Sequence, residues 1–135
     1  MAIFNSANPM LASGASDDVY STEETRIGTW IDGKPLYRKV FVGPFAGVSV
    51  STVVGTETLD VDAVTYLSAI TLLTNGYWTP FPYPPSTTVY SVCQFNDADH
   101  KIYIQTNSSL FVGHDVYVVM HYTKTTDQAT GGLPE

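Results

Sequence analysis

An all-β fold, an antiparallel β-sandwich, is the class this sequence predicts, and three observations predict it. Thr, Val, Ser and Tyr are abundant while charged residues make up only 14% of the chain, and β-branched and aromatic side chains suit a pleated, half-buried surface. Apolar and polar residues alternate in runs of strand length, the period of a strand with one wet face. Gly, Pro, Asn and Asp gather between those runs, where they mark turns. The 135 residues show no internal repeat or break in composition, so they make one domain with a modest core.

Residues 1–16 are rich in Ala, Ser and Asn, and their apolar residues Ile3, Phe4, Met10 and Leu11 follow no period. Residues 1–19 therefore read as an N-terminal arm, 20–127 as the sandwich domain and 128–135 as a polar tail. Asp32 and Gly33 favour a tight turn and Pro35 suits a strand edge, which starts the first strand at 36–42. In 47–54, Val48 and Val50 alternate with Ser49 and Ser51, predicting one buried and one wet face. Residues 63–73 carry apolar side chains at helical spacings as well, but their Thr and Val content and the Asn75-Gly76 turn favour a strand. In 77–85 the rings of Tyr77, Trp78, Phe81 and Tyr83 sit among Pro80, Pro82, Pro84 and Pro85. Proline lacks the N–H that a central strand needs, so this is an extended loop or a sheet edge. Residues 87–95 and 100–106 read as a hairpin joined by Asn96, Asp97, Ala98 and Asp99. The last strand, 115–124, has apolar or aromatic residues in both alternating sets, Val116, Val118, Met120 and Tyr122 against Tyr117 and Val119. That pattern predicts a central strand covered on both sides. About seven strands are expected.

The formal net charge of -7, with no cluster of Lys and Arg, argues against a phosphate-tracking surface and hence against nucleic acid as a partner. No apolar run approaches the roughly 18 residues of a membrane span, and the start lacks the basic and apolar regions of a signal peptide, so synthesis in the cytoplasm is expected. Cys93 is the lone cysteine, which excludes an intrachain disulfide; in its alternating run it reads as a small buried hydrophobe. His100, His114 and His121 lack the spacings of a zinc site. Asp97, Asp99 and Asp115 are of the type calcium takes, but no Gly and terminal Glu of an EF-hand accompany them, and turn acids at the surface are the simpler reading. Glu57, Asp60, Asp62 and Asp127 are candidate carboxylates for glycoside hydrolysis only as residue types. No nucleophile elbow, phosphate loop or dinucleotide fingerprint occurs. The expectation is a protein that is not an enzyme and uses no cofactor or metal. The rings of 77–83 offer flat apolar faces to sugar C–H groups, or else seal the core or a subunit interface.

Two blocks are idiosyncratic. The segment Tyr20-Ser21-Thr22-Glu23-Glu24, followed by Gly28-Thr29-Trp30-Ile31-Asp32-Gly33-Lys34-Pro35-Leu36-Tyr37-Arg38-Lys39, resembles the start of small β-rich domains in tailed-bacteriophage virion proteins of the head-fibre, tail-fibre and other appendage kinds. The segment Tyr122-Thr123-Lys124-Thr125-Thr126-Asp127 resembles the closing strand of the same domains. The resemblance implies a jelly-roll-like homotrimer, located in the virion and made in the host bacterial cytoplasm. Its partners would be other virion structural proteins and a bacterial surface glycan or protein. Ile3, Phe4, Met10 and Leu11 would then anchor the arm to the particle or to a neighbouring subunit, and Tyr77, Trp78, Phe81 and Tyr83 would make receptor contact. Trp30, Asp32, Gly33, Lys34, Pro35 and Tyr37 would form a structural corner beneath the first strand. From the charges alone, Lys34 and Arg38 are expected to pair with Glu23 or Glu24 of the same or an adjacent chain, contacts that contribute little at a surface. The chain shows no shaft, collagen-like repeat or heptad, which keeps open a capsid or neck decoration protein that reinforces the shell. A monomeric carbohydrate-binding module is the third reading.

Overall fold

The structure, a computed structural model, describes residues 18–55, 58–82 and 89–129. The described residues form eight strands: β1 (Thr25–Thr29), β2 (Pro35–Pro44), β3 (Thr52–Val54), β4 (Ala63–Leu72), β5 (Trp78–Pro80), β6 (Ser91–Asn96), β7 (Lys101–Thr106) and β8 (Asp115–Thr123). A 3-10 turn at Ser109–Phe111 precedes β8. About half of the described residues lie in strands, and none lies in an α-helix.

The hairpin of β1 and β2 shows how local sequence starts the larger sheet. Gly33 takes φ of 88°, a left-handed conformation open to glycine at little cost. Its N–H donates to the Trp30 carbonyl at 2.9 Å, and the Trp30 N–H donates to the Lys34 carbonyl at 2.8 Å. The Asp32 carboxylate accepts from the Lys34 N–H at 2.9 Å, so the side chain rigidifies the turn that the backbone makes. β1 itself is absent from the sequence expectation. Ile27 is its only large apolar residue, and the pairing with β2 shifts register between Arg26 and Gly28, which removes the alternation that reveals a strand.

Every pairing is antiparallel. Five strands form one sheet in the order β1-β2-β8-β4-β5, and three form a second in the order β3-β7-β6. Residues 63–72 are a strand, not a helix, as their Thr and Val content predicts. β6 and β7 form the expected hairpin, with Asn96 opposite Lys101. β8 lies between β2 and β4 and pairs along both edges. The 77–85 segment contributes the short edge strand β5 through residues 78–80.

One core lies between the sheets, giving a β-sandwich-like fold. Val116, Val118, Met120 and Tyr122 of β8 are at most 1% exposed and belong to the same apolar cluster as Phe41, Ala69, Val54, Ile102 and Ile104. Three rings fill part of it: Phe45 stacks on Phe81 at 5.8 Å, and both meet Phe111 edge-on at 6.1 and 6.0 Å.

Two expectations are corrected. Val48 and Val50 are exposed, and the strand they suggested is confined to Thr52–Val54. Ser49 there adopts φ of 59° and its N–H donates to the Thr106 carbonyl, so this stretch turns instead of extending. β8 is central, but only one of its faces is fully covered. Tyr117 on the other face remains 40% exposed.

Candidate functional site

The uncovered side of the five-stranded sheet carries the most distinctive surface of the molecule. Tyr117, Val119 and His121 of β8 stand opposite Val42, Val40 and Arg38 of β2 and opposite Ile70, Ser68 and Tyr66 of β4. On the far edge, Trp78 and Pro80 of β5 stand opposite Leu72 and Ile70. Alternation along antiparallel strands puts all of these side chains on one face. The Tyr66 ring lies 4.7 Å from that of His121, and the Trp78 ring 6.4 Å from that of Tyr117. Tyr66, Ile70, Tyr117 and Trp78 are all substantially exposed. Apolar area of this extent on a sheet face marks a contact surface more often than plain solvent exposure.

Arg38 is the one cation among these residues, and it is locally neutralised. Only 4% of Arg38 is exposed. Its guanidinium bonds the Asp18 carboxylate at 2.5 Å and the Val19 carbonyl at 2.7 Å, and the Tyr20 ring lies over it at 3.8 Å. The hydrogen bond from Arg38 lowers the Asp18 carboxyl below the usual carboxylate range. Burial, reinforced by the Arg38 charge, lowers His121 against an opposing pull from Asp18. The imidazole is therefore neutral at neutral pH, and the face stays apolar.

The candidate contact residues divide. Tyr77 is 70% exposed and Trp78 58% exposed at the rim of this face. Asn75 caps the turn beside them by accepting from the Tyr77 N–H. Phe81 packs on the ring cluster with Phe45 and Phe111, and its N–H donates to the Ala69 carbonyl, the core-sealing arrangement that the sequence offered beside receptor contact. It is half-buried there and also lines the hollow beside Pro82. Tyr83 lies outside the described residues, as do Glu57 and the arm residues Ile3, Phe4, Met10 and Leu11.

The two idiosyncratic blocks meet at one end of the sandwich. Lys34 Nζ bonds Asp62 at 2.8 Å and the Lys124 carbonyl at 3.2 Å. Lys124 Nζ reaches Glu24 at 2.8 Å, and the Tyr122 hydroxyl donates to the same carboxylate at 2.6 Å. Burial opposes ionisation of Glu24, but the bonds from Lys124 and Tyr122 outweigh it and hold its pKa down. Lys124 also lies over the Tyr37 ring at 4.8 Å. Trp30, Asp32, Gly33, Lys34, Pro35 and Tyr37 thus belong to a hairpin and its clasp. The expected pairs are corrected here too: Lys34 takes Asp62 and Arg38 takes Asp18, while Glu24 goes to Lys124.

Two of the carboxylates considered for catalysis, Asp60 and Asp62, serve this clasp. Asp60 accepts from the Thr125 N–H at 3.0 Å, from the Thr125 hydroxyl and from the Thr126 hydroxyl at 2.6 Å. Those bonds, Thr125 first, lower its pKa to about 2. A groove of about 880 Å³ opens between β6 and β4, lined by Leu67, Cys93, Phe95 and Tyr103 among others. A hollow of about 240 Å³ adjoins it at Phe81 and Pro82. Burial pushes the Cys93 thiol up to about 12, which leaves it protonated and unreactive at neutral pH. Near it, Asp99 accepts from the Tyr103 hydroxyl. No group of three or more His, Cys, Asp or Glu placed to hold a metal occurs among the described residues. Among them, too, no helix is long and apolar enough to cross a membrane.

Compared with protein-family models, curated proteins and solved structures, the chain matches none. The sequence pointed to Tyr77 and Trp78 but missed their neighbours Tyr66, Ile70, Tyr117 and Val42. The available signal was the double apolar set of residues 115–124, which read as burial on both sides.

Proposed function

We propose that this protein is a non-enzymatic virion protein of a tailed bacteriophage. In this reading it is a trimeric fibre or surface-appendage domain that attaches to the particle and contacts the host cell surface. The observation that carries the contact role is that the successive residues Tyr77 and Trp78 are both exposed at a sheet edge, with Trp78 on the apolar outer face opposite Leu72. Rings so placed offer flat surfaces to the C–H faces of a glycan or to a protein. The virion assignment rests on the resemblance of the two end blocks, and the bonds among Glu24, Tyr122 and Lys124 are consistent with those blocks forming one structural unit.

The jelly-roll-like architecture belongs to the same proposal. β8 returns from the smaller sheet to insert between β2 and β4, a crossing of the Greek-key type. The edge strands β1 and β5 invite coverage, and a closed threefold ring is one way to supply it. Three weak sites per trimer, repeated over a particle, would give firm adhesion to a bacterial surface glycan or protein. Residues 1–19 would hold the domain to other virion proteins after synthesis in the host cytoplasm.

Light scattering of the purified full chain tests the assembly. A mass of three copies supports the appendage reading. A single copy removes the trimer and favours a capsid or neck decoration protein that assembles only on its particle, or a monomeric carbohydrate-binding module.

A further inference from the structure

We propose that Asn75 is a site of spontaneous chemical modification in the folded protein, converting to aspartate and isoaspartate through a ring closed onto the nitrogen of Gly76. The chemistry depends neither on the virion reading nor on a contact role.

Two turns of this molecule share one construction and differ in one functional group. At residues 30–34 the Gly33 N–H donates to the Trp30 carbonyl and the Trp30 N–H to the Lys34 carbonyl; at 73–77 the Gly76 N–H donates to the Leu73 carbonyl at 2.9 Å and the Leu73 N–H to the Tyr77 carbonyl at 2.9 Å. Both glycines are left-handed, with φ of 88° and 92°. In each turn the side chain before the glycine accepts from the N–H two residues on, Asp32 from Lys34 at 2.9 Å and Asn75 from Tyr77 at 3.3 Å. The first turn therefore holds a carboxylate where the second holds an amide. A carboxylate is a poor electrophile. The amide carries a leaving group.

The nitrogen that would attack is accessible. Of the five asparagines, Asn75 alone precedes a glycine, so no side chain crowds that nitrogen. Thr74, Asn75 and Gly76 are all exposed, and a Cβ placed on Gly76 would meet nothing within 4 Å. The restraint is the bond from the Gly76 N–H to Leu73. It closes a turn onto β5, which has three residues and lies at the sheet edge, where local opening costs least.

Once that bond opens, the Gly76 nitrogen gives its proton to solvent and bonds to Asn75 Cγ. The Cγ–Nδ2 bond breaks, ammonia leaves after taking a proton from solvent, and a five-membered imide remains. Water then opens the ring, at the side-chain carbonyl to give aspartate or at the main-chain carbonyl to give isoaspartate. One water is consumed, one ammonia is released, and nothing is oxidised or reduced. The products differ in consequence. Aspartate puts at 75 the group that Asp32 already holds in the twin turn, so the turn keeps its form and gains a negative charge beside Tyr77 and Trp78. Isoaspartate routes the backbone through the side chain, which adds a methylene to the loop that sets Leu72 opposite Trp78 and displaces Trp78.

Peptide mapping by mass spectrometry tests this on the full chain, held for weeks in mildly alkaline buffer while circular dichroism checks that it stays folded. The comparison proteins are Asn75→Gln, whose longer side chain closes a ring far more slowly, and Asn75→Asp, which supplies the aspartate standard. In the parent, the peptide containing Asn75 should gain the mass of an amide-to-acid change several-fold faster than the peptides containing Asn96 or Asn107. The gain should appear as two chromatographic forms, one of them eluting with the Asn75→Asp peptide, and should be absent from Asn75→Gln. Conversion of Asn75 no faster than that of Asn96 and Asn107 overturns the proposal. A gain that Asn75→Gln retains in the same peptide, or a single form matching the aspartate standard alone, also overturns it, because neither passes through the ring.

Discussion

β8 presents two faces made from alternate residues of one strand, and they meet different fates. Val116, Val118, Met120 and Tyr122 are sealed between the sheets, while Tyr117 on the opposite face is 40% exposed and Val119 and His121 are half-buried. Side-chain hydropathy does not separate the two sets, since both are apolar or aromatic. What separates them is layer order: the three-stranded sheet covers one side of the five-stranded sheet, and no described strand covers the other. An apolar face that no described strand covers is where the proposed contact falls.

The comparison breaks first at the core. Met120→Ala should cost about 3 kcal/mol in urea denaturation, the range for truncating a fully buried aliphatic side chain. A loss under about 1 kcal/mol would mean that the inner face is not the main source of cohesion. Phe81 and Trp78 sharpen it next, because two aromatic residues three positions apart point to opposite sides. Phe81→Ala should cost about 2 kcal/mol through the ring cluster with Phe45 and Phe111, whereas Trp78→Ala should stay under about 1 kcal/mol.

The end clasp joins the edges where the faces meet, and its carboxylate gives a pH signature. Asp60 is held near pKa 2 by the Thr125 and Thr126 bonds, below its unfolded value. Its contribution is therefore fully present above about pH 4 and is lost as pH falls through about 2. Asp60→Asn should remove about 1 kcal/mol or less at pH 7, solvent screening being considerable at this half-buried site. It should also flatten the stability profile between those two pH values, as equilibrium denaturation across pH will show. The smallest effect belongs to Tyr117→Ser, within about 0.5 kcal/mol because its ring does not fill the core.

Much of the fold was legible. Thr and Val density together with the Asn75-Gly76 turn decided that residues 63–72 extend, and the polar residues 96–99 announced the hairpin of β6 and β7. β1 was hidden because its alternation is broken by a bulge and carried by Ile27 alone. Val48 and Val50 misled because a short apolar alternation also fits a turning segment on the surface. In the site, Trp78 was legible as an edge aromatic. For Phe81 the sequence left contact and core sealing both open, since its direction is set after β5 ends, by contact with Phe45 and Phe111. The charge pairs could not be read at all: Lys34 with Asp62 and Lys124 with Glu24 are separated by 28 and 100 residues, and only the folded topology brings them together.

The most direct test of a contact function is binding of the fluorescently labelled full chain to a panel of bacterial cells, beside the double variant Tyr77→Ala with Trp78→Ala. The account predicts saturable binding to at least one cell type and its loss in the variant, with the stability of the fold nearly unchanged. Absence of binding across the panel, or binding that the variant retains in full, would contradict it.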